Sequence, residues 1–342
     1  MIDMNKQHPL YREDISSVLA LKGIECLKGK AILVTGATGL LGVHMIDALM
    51  ALGGVKIYAV GRSRIKAEAR LGEYFGKPDF CFIEHDVCNP LPMDLDVDYI
   101  VPAASNTHPL SYSLYPVETI MINFKGAENA LELAKRTNAT VLYPSTVEIY
   151  GNARGGDVFS EDYTGQLNLS NSRSCYTESK RVCEALCQSY IAERGVDVKI
   201  VRLSRVFGPT MLESDTKASS QFIKKALAGE DIVLKSQGEQ FFSYTYVTDA
   251  VAAMLYVMLY GKTGAAYNIS NENCNVHLRD FARICALKVG KDVVFDLPTV
   301  EEQKGFSIAT QAILSNESLL GLGFYPKYSI EDSISRTIDI LK

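Results

Sequence analysis

Two side chains four residues apart carry the first chemical signal, Tyr176 and Lys180 in the segment RSCYTESKR. On a helix this spacing puts both on one face. A phenol whose ordinary pKa is about 10 is a poor base at neutral pH. A neighbouring ammonium would stabilise the phenolate and bring it towards working range. About thirty residues upstream, TVLYPST ends in Ser145 and Thr146, which supply a hydroxyl beside the tyrosine. An ordinary surface pair on a helix is the plain alternative for a YxxxK alone, and the upstream hydroxyls argue against it.

The second signal is TGATGLLG, with Gly36, Gly39 and Gly42 directly after the apolar run AILV and directly before a helical stretch. Glycines at a strand-to-helix turn let the backbone approach a pyrophosphate, while the helix start supplies amide donors and a positive dipole end. Gly36, Thr38, Gly39, Leu40, Leu41 and Gly42 are therefore expected at a dinucleotide. About twenty residues on, an acid normally meets the adenosine ribose. Here the sequence reads AVGRSR, with Gly61 near the acid's place and Arg62 beside it. The cofactor is NAD or NADP, and the missing carboxylate and the guanidinium of Arg62 tilt the choice towards the 2'-phosphate of NADP.

These residues need a frame. AILVTG, VKIYAV, DFCFIEHDV, VDYIVPAAS, TVLYPST and VKIVRLS read as strands, with helical stretches between several of them. Such alternation predicts an α/β fold: a Rossmann-type doubly wound parallel sheet, with a smaller C-terminal substrate lobe. The expected division is a lead segment 1–28, a cofactor domain 29–204 and a mainly substrate-binding lobe 205–342, with about 243–268 returning to the first domain. In the lead segment, Ile15, Val18, Leu19 and Leu27 recur at near-helical spacing. They predict a short helix packed outside the first domain, with a partner-binding arm as the alternative.

GxxGxxG, followed by Ser/Thr and then YxxxK, resembles the extended short-chain dehydrogenase/reductase superfamily in its NAD-dependent epimerase/dehydratase branch. The resemblance implies that Thr146 orients a substrate hydroxyl, Tyr176 takes its proton, and Lys180 lowers the tyrosine pKa and holds the nicotinamide ribose. It also implies that Asp86 and Val87 lie near the adenine, and that Ala103, Ala104, Ser105 and Asn123 line the cofactor site. STVEIYG is similar to the STxEVYG of sugar-nucleotide decarboxylases and 4,6-dehydratases, which makes Glu148 an acid/base or positioning group beside the sugar. The dehydratases carry an acid just before that glutamate. Here Val147 stands in its place and disfavours dehydration. RSCYTESKR, PAASNTHP and GPTMLESDTKASSQFIKKALAGE resemble UDP-glucuronate decarboxylases, which places His108, Arg181 and Lys217 on the substrate side.

Two departures accompany this likeness. The family pattern GxxQxRxFxYVxD is represented by GEQFFSYTYVTD, with Phe242 where the arginine that clamps the substrate diphosphate is expected. Arg205 stands where an asparagine is usual. Together they suggest a relocated cation, Arg205 supplying charge that Phe242 cannot; a pocket reshaped for another substrate is the second reading. The resemblance as a whole implies an enzyme that makes a transient 4-keto sugar on a nucleotide-diphosphate sugar and recycles its cofactor. An NADPH-dependent carbonyl reductase and a non-catalytic dinucleotide sensor are the alternatives.

Composition sets the outer limits. The chain has 342 residues, 35 Lys+Arg against 40 Asp+Glu, and a net charge of -5, which argues against nucleic acid or anionic membranes as partners. Its 47% hydrophobic and 22% charged residues place it among globular proteins. Eight cysteines without a CxxC pair, and scattered histidines, predict reduced thiols, no metal site and a cytoplasmic protein. The apolar run from Ala250 to Tyr260 is too short for a bilayer. The superfamily resemblance further implies a homodimer.

Overall fold

A computed structural model describes residues 4–92, 94–107, 109–153, 156–296 and 310–342. After helix α1 (Pro9–Leu19) the chain alternates: β1 (Ala31–Thr35), α2 (Leu40–Leu52), β2 (Lys56–Gly61), α3 (Arg64–Leu71), β3 (Phe80–Glu84) and β4 (Tyr99–Pro102). There follow α4 (Pro109–Leu114), α5 (Pro116–Thr137), β5 (Thr140–Thr146), β6 (Val158–Phe159), α6 (Ser174–Arg194), β7 (Val198–Leu203) and β8 (Arg205–Phe207). The remainder holds α7 (Ala218–Leu227), β9 (Ile232–Leu234), β10 (Phe241–Tyr246), α8 (Val247–Tyr260), β11 (Ala266–Ile269), β12 (Asn275–His277), α9 (Leu278–Lys288), β13 (Val293–Phe295), β14 (Gln311–Leu314), α10 (Glu317–Leu322) and α11 (Ile330–Leu341).

Seven strands form one parallel sheet in the order β11-β7-β5-β4-β1-β2-β3. This is the Rossmann order, extended by β7 and β11 on the β5 side, with its switch point between β1 and β4. Alternation along the strands feeds two cores. Ile32 and Val34 pack on one side with α2 and α8, while Leu33, Val141 and Tyr143 pack on the other with α5 and α6. Helix α8 contains the apolar run Ala250–Tyr260, and its residues from Val247 to Met258 are all buried against the sheet. Among the described residues no helix is long and apolar enough to cross a membrane. Strands β8, β10, β12, β14 and β6 form a second sheet, and β9 pairs with β13.

The lead segment forms the expected helix over part of its length. Helix α1 ends at Leu19, Leu27 belongs to a separate turn at Ile24–Leu27, and the helix packs on α2 and α8 and also touches α11. Two buried carboxylates explain why. Asp47 on α2 accepts hydrogen bonds from Tyr11 (2.5 Å), Lys6 (2.6 Å) and Tyr74 (2.9 Å). Asp14 on α1 accepts from Tyr246 at the end of β10 (2.5 Å) and from Arg336 on α11 (3.0 Å). The hydrophobic spacing of α1 shows its buried face but not these polar anchors. His44 is fully buried against Tyr11, with both ring nitrogens unpaired, and burial pushes its pKa down to about 3, so it packs as a neutral ring.

A buried carboxylate robbed of its cation costs about 3–5 kcal/mol. Arg336→Leu is therefore expected to lower unfolding free energy by about that amount in urea titrations, whereas a change under about 1 kcal/mol would mean that Asp14 is held by Tyr246 alone.

Candidate active site

The glycine loop sits at the switch point. Gly36 has φ +66°, and a side-chain carbon there would lie 2.8 Å from the Ala103 carbonyl oxygen at the end of β4. At Gly42 a side-chain carbon would lie 2.5 Å from the Gly36 oxygen and 2.8 Å from the Ala37 backbone. Only glycine fits either position, and the effect is to press the start of α2 onto the β1 end. Gly39 caps α2 without a side chain, leaving the amides at Leu40, Leu41 and Gly42 facing out of the helix start. This cradle suits a pyrophosphate. From the second lobe, the Thr210 hydroxyl donates to the Leu40 carbonyl (2.7 Å) and braces the loop.

The adenosine end is built from β2 and β3. Arg62 is exposed after Gly61, close enough to Cys88 and Asp86 for its charge to act on the Cys88 thiol. Arg64 instead lies over the rings of Phe75 and Phe82. Asp86 closes a turn on the Cys88 amide (3.0 Å), and Asn129 of α5 holds the Val87 carbonyl (2.8 Å). At the end of β4, the Ala104 amide donates to Thr35 (3.0 Å).

Asn123, expected at the cofactor site, is held by its neighbours there. It is buried, and its amide is taken up within the protein: Ser105 donates to its oxygen (2.6 Å), and its nitrogen donates to Ser179 (2.8 Å), which donates to the Tyr176 carbonyl (2.8 Å). Asn123 is thus a strut between the β4 end and the helix that carries the reactive pair.

On α6, Tyr176 and Lys180 share a face as their spacing requires. Burial pushes the Tyr176 phenol well above its ordinary pKa, the hydrogen bond with Thr146 acts against this, and the charge of Glu148 adds to the rise. Lys180 is buried; its ammonium donates to the Pro144 carbonyl (2.8 Å) and lies over the Tyr143 ring, and burial lowers its pKa. Without a further positive charge the phenol stays protonated. Thr146 ends β5 and caps the turn Val147–Tyr150 by accepting from the Glu148 amide (3.3 Å). Ser145 beside it has a buried hydroxyl oxygen with no partner.

The Arg181 guanidinium donates to the carbonyls of Ile149 (2.7 Å) and Gly165 (3.0 Å) and pairs with Glu178 (3.3 Å), so it holds the turn that bears Glu148. Tyr150 anchors the same turn to Asn268 (2.6 Å). Lys217 is paired with Asp215 at the start of α7. His108 lies outside the described residues.

The structure adds a residue that the sequence reading missed. Tyr112 on α4 stacks on Tyr176, with ring centroids 5.4 Å apart and planes 17° apart, and Arg173 lies over it. Only a PAASNTHP-to-YxxxK pairing across α4 and α6 could have signalled it, and no local pattern encodes that. Arg205 reaches Glu148 (3.7 Å) and lies on the Phe242 ring, 3.5 Å from its centroid. Thr146, Glu148, Tyr112 and Arg205 therefore gather around Tyr176, at the edge of the sheet where the β1 end carries the glycine loop. The arrangement can remove a proton from a hydroxyl next to a bound dinucleotide.

The profile of the NAD dependent epimerase/dehydratase family matches residues 32–270. The chain is 32% identical over 309 residues to UDP-glucuronic acid decarboxylase 1 of Xenopus tropicalis, covering 90% of this chain and 71% of that protein. It is 37% identical over 240 residues to UDP-glucuronic acid decarboxylase 6 of Arabidopsis thaliana, covering 70% and 69%. A dTDP-glucose 4,6-dehydratase of Streptomyces venezuelae, crystallised with NAD, superposes with a TM-score of 0.78 at 22% identity over 91% of this chain and 96% of its own. A UDP-glucuronic acid 4-epimerase of Bacillus cereus, in complex with UDP-glucuronic acid and NAD, gives 0.77 at 22% identity over 91% and 98%. At such identities the solved structures carry the fold.

The cradle has a direct test. Forcing a methyl group into so tight a turn costs about 1–3 kcal/mol. Gly42→Ala is expected to weaken NADH binding, followed by its fluorescence, at least about tenfold, and unchanged binding would place the dinucleotide elsewhere.

Proposed function

The chain belongs to the NAD dependent epimerase/dehydratase family, and on that footing we propose that it oxidises one ring hydroxyl of a nucleotide-diphosphate sugar and restores it within the same turnover. The observation that supports this is the convergence of Thr146 and Glu148 on Tyr176, at the end of β5 in the sheet whose β1 end carries the glycine cradle. NAD or NADP, when bound, supplies the ring that accepts a hydride from the sugar, at C4, and later returns it. Tyr176 takes the C4 hydroxyl proton, Thr146 orients that hydroxyl, and Lys180 keeps positive charge under the α6 face. Glu148 stands beside the sugar as an acid/base or positioning group.

A carbonyl at C4 makes a C6 carboxylate part of a β-keto acid, whose C5–C6 bond breaks to release carbon dioxide and leave its electron pair on C5 and the carbonyl oxygen. A proton then returns to C5. The relatives named above are UDP-glucuronic acid decarboxylases, and we put decarboxylation of such a sugar first, with epimerisation through the same ketone second. Val147 carries no proton to give, which tells against elimination of water. Regeneration of the cofactor within each turnover separates this reading from a carbonyl reductase.

Three finer assignments belong to the same proposal. The lobe from residue 205 onward takes the substrate, while 243–268 supports the cofactor sheet. Arg62 meets the 2'-phosphate of NADP, because Gly61 leaves the usual acid's place without charge. The chain forms a homodimer through α4, α5 and α6, where Leu110, Leu114, Val117, Ile120, Met121 and Val182 are exposed as an apolar face on helices already packed together. Eight free thiols favour a cytoplasmic setting.

Mass spectrometry of a nucleotide-sugar panel incubated with the protein tests the reaction. UDP-glucuronate is expected to lose carbon dioxide with no net change in nicotinamide absorbance, and Tyr176→Phe to cut the rate by at least about a hundredfold. Stoichiometric consumption of the reduced cofactor would establish a reductase instead, and full activity in Tyr176→Phe would remove the tyrosine from the chemistry. For the cofactor, a charge-assisted hydrogen bond contributes about 1.5–3 kcal/mol. Arg62→Ala is accordingly expected to weaken NADP about tenfold or more while leaving NAD unchanged, and equal losses for both would contradict the 2'-phosphate assignment.

A further inference from the structure

Arg205 opens β8, whose register with β10 pairs it with Tyr244, so Phe242 lies two residues before its partner on the neighbouring strand. From there the guanidinium lies over the Phe242 ring, 3.5 Å from the centroid. Phe242 is buried and offers a fixed platform of the kind that favours a planar guanidinium over an ammonium. One nitrogen, Nη2, approaches Glu148 at 3.7 Å, long for a hydrogen bond. The other, Nη1, is buried without a partner among the described residues. A buried donor left in that state costs free energy unless something supplies an acceptor.

The place of Arg205 narrows what that acceptor is. Glu148 follows Thr146 by two residues, and its charge is felt by both Tyr176 and Tyr112. The charge of Arg205 is felt by Tyr112, which stacks on Tyr176, and by Tyr244. Arg205 is thus one side chain away from the phenol that takes the substrate proton, at the reacting end of the site. An anion held there belongs to the ring that is oxidised.

Resting on the nucleotide-sugar reading above, we propose that Arg205, laid flat on Phe242, determines specificity for an acidic sugar by offering Nη1 to its carboxylate. Glu148 keeps the guanidinium in place until the substrate carboxylate arrives, and the aromatic platform fixes the direction of the fork. The pair Arg205 and Phe242 acts as one device: the cation supplies the charge and the ring its orientation.

Binding of UDP, UDP-glucose and UDP-glucuronate, measured by calorimetry on the NAD-loaded protein in a Tyr176→Phe background that prevents turnover, tests this. Arg205→Met, which preserves apolar packing on Phe242, is expected to weaken UDP-glucuronate about tenfold to a hundredfold and to leave UDP and UDP-glucose unchanged. Phe242→Leu, which retains the charge and removes its platform, is expected to weaken UDP-glucuronate by a smaller factor with the same selectivity. Equal weakening of all three ligands would overturn the proposal by assigning the cation to the diphosphate. No weakening of UDP-glucuronate in either variant would overturn it too. If the parent protein bound none of the three, the nucleotide-sugar reading would itself fail, and the role of Arg205 with it.

Discussion

The Tyr176 phenol lies against Thr146 and under the Tyr112 ring, with the negative charge of Glu148 near, and burial holds it in the protonated form. Lys180 does not cancel that cost from where it sits, because its own ammonium is buried and donates to the Pro144 carbonyl. The balance changes only when another positive charge enters beside the phenol. An oxidised nicotinamide is such a charge, and the glycine cradle at the β1–α2 turn is where its carrier would be anchored. Under the proposed function, reactivity is thereby tied to cofactor occupancy, and a phenol that ionised in an empty site would have no such dependence.

Much of the rest of the structure serves to keep that phenol in place. Asn123 ties the β4 end to α6 through Ser105 and Ser179. Arg181 and Tyr150 pin the short turn from which Glu148 projects. Thr210 holds the glycine loop, and α1 is tied to α2 through Asp47 and to the end of β10 through Asp14. Most of these groups are buried, and breaking a buried hydrogen bond costs more than losing a surface contact.

The parallel sheet, the glycine loop and the Tyr176–Lys180 pair could be read from the sequence because each is a local pattern: apolar strand runs, glycines at a strand end, two polar residues one helical turn apart. Asn123 and Arg181 could not, because their roles depend on partners 56 and 32 positions away in the chain. A polar residue at a family position reads as a ligand contact until its hydrogen bonds are known. Tyr112 was missed for the same reason. The exchange at Phe242 and Arg205 was visible as two separate departures, but only the pairing of β8 with β10 shows that one stacks on the other. The spacing of α1 showed a buried face without its polar ties to Asp47, Tyr246 and Arg336.

The link between phenol ionisation and cofactor is the claim on which this account turns. It is tested most directly by ultraviolet difference titration of tyrosinate, with the Tyr176→Phe protein as the blank for the remaining tyrosines, in the presence and absence of oxidised NAD or NADP. The expected result is a Tyr176 ionisation that moves down by at least about one pH unit when the cofactor is bound. Ionisation at the same pH with and without cofactor would contradict it.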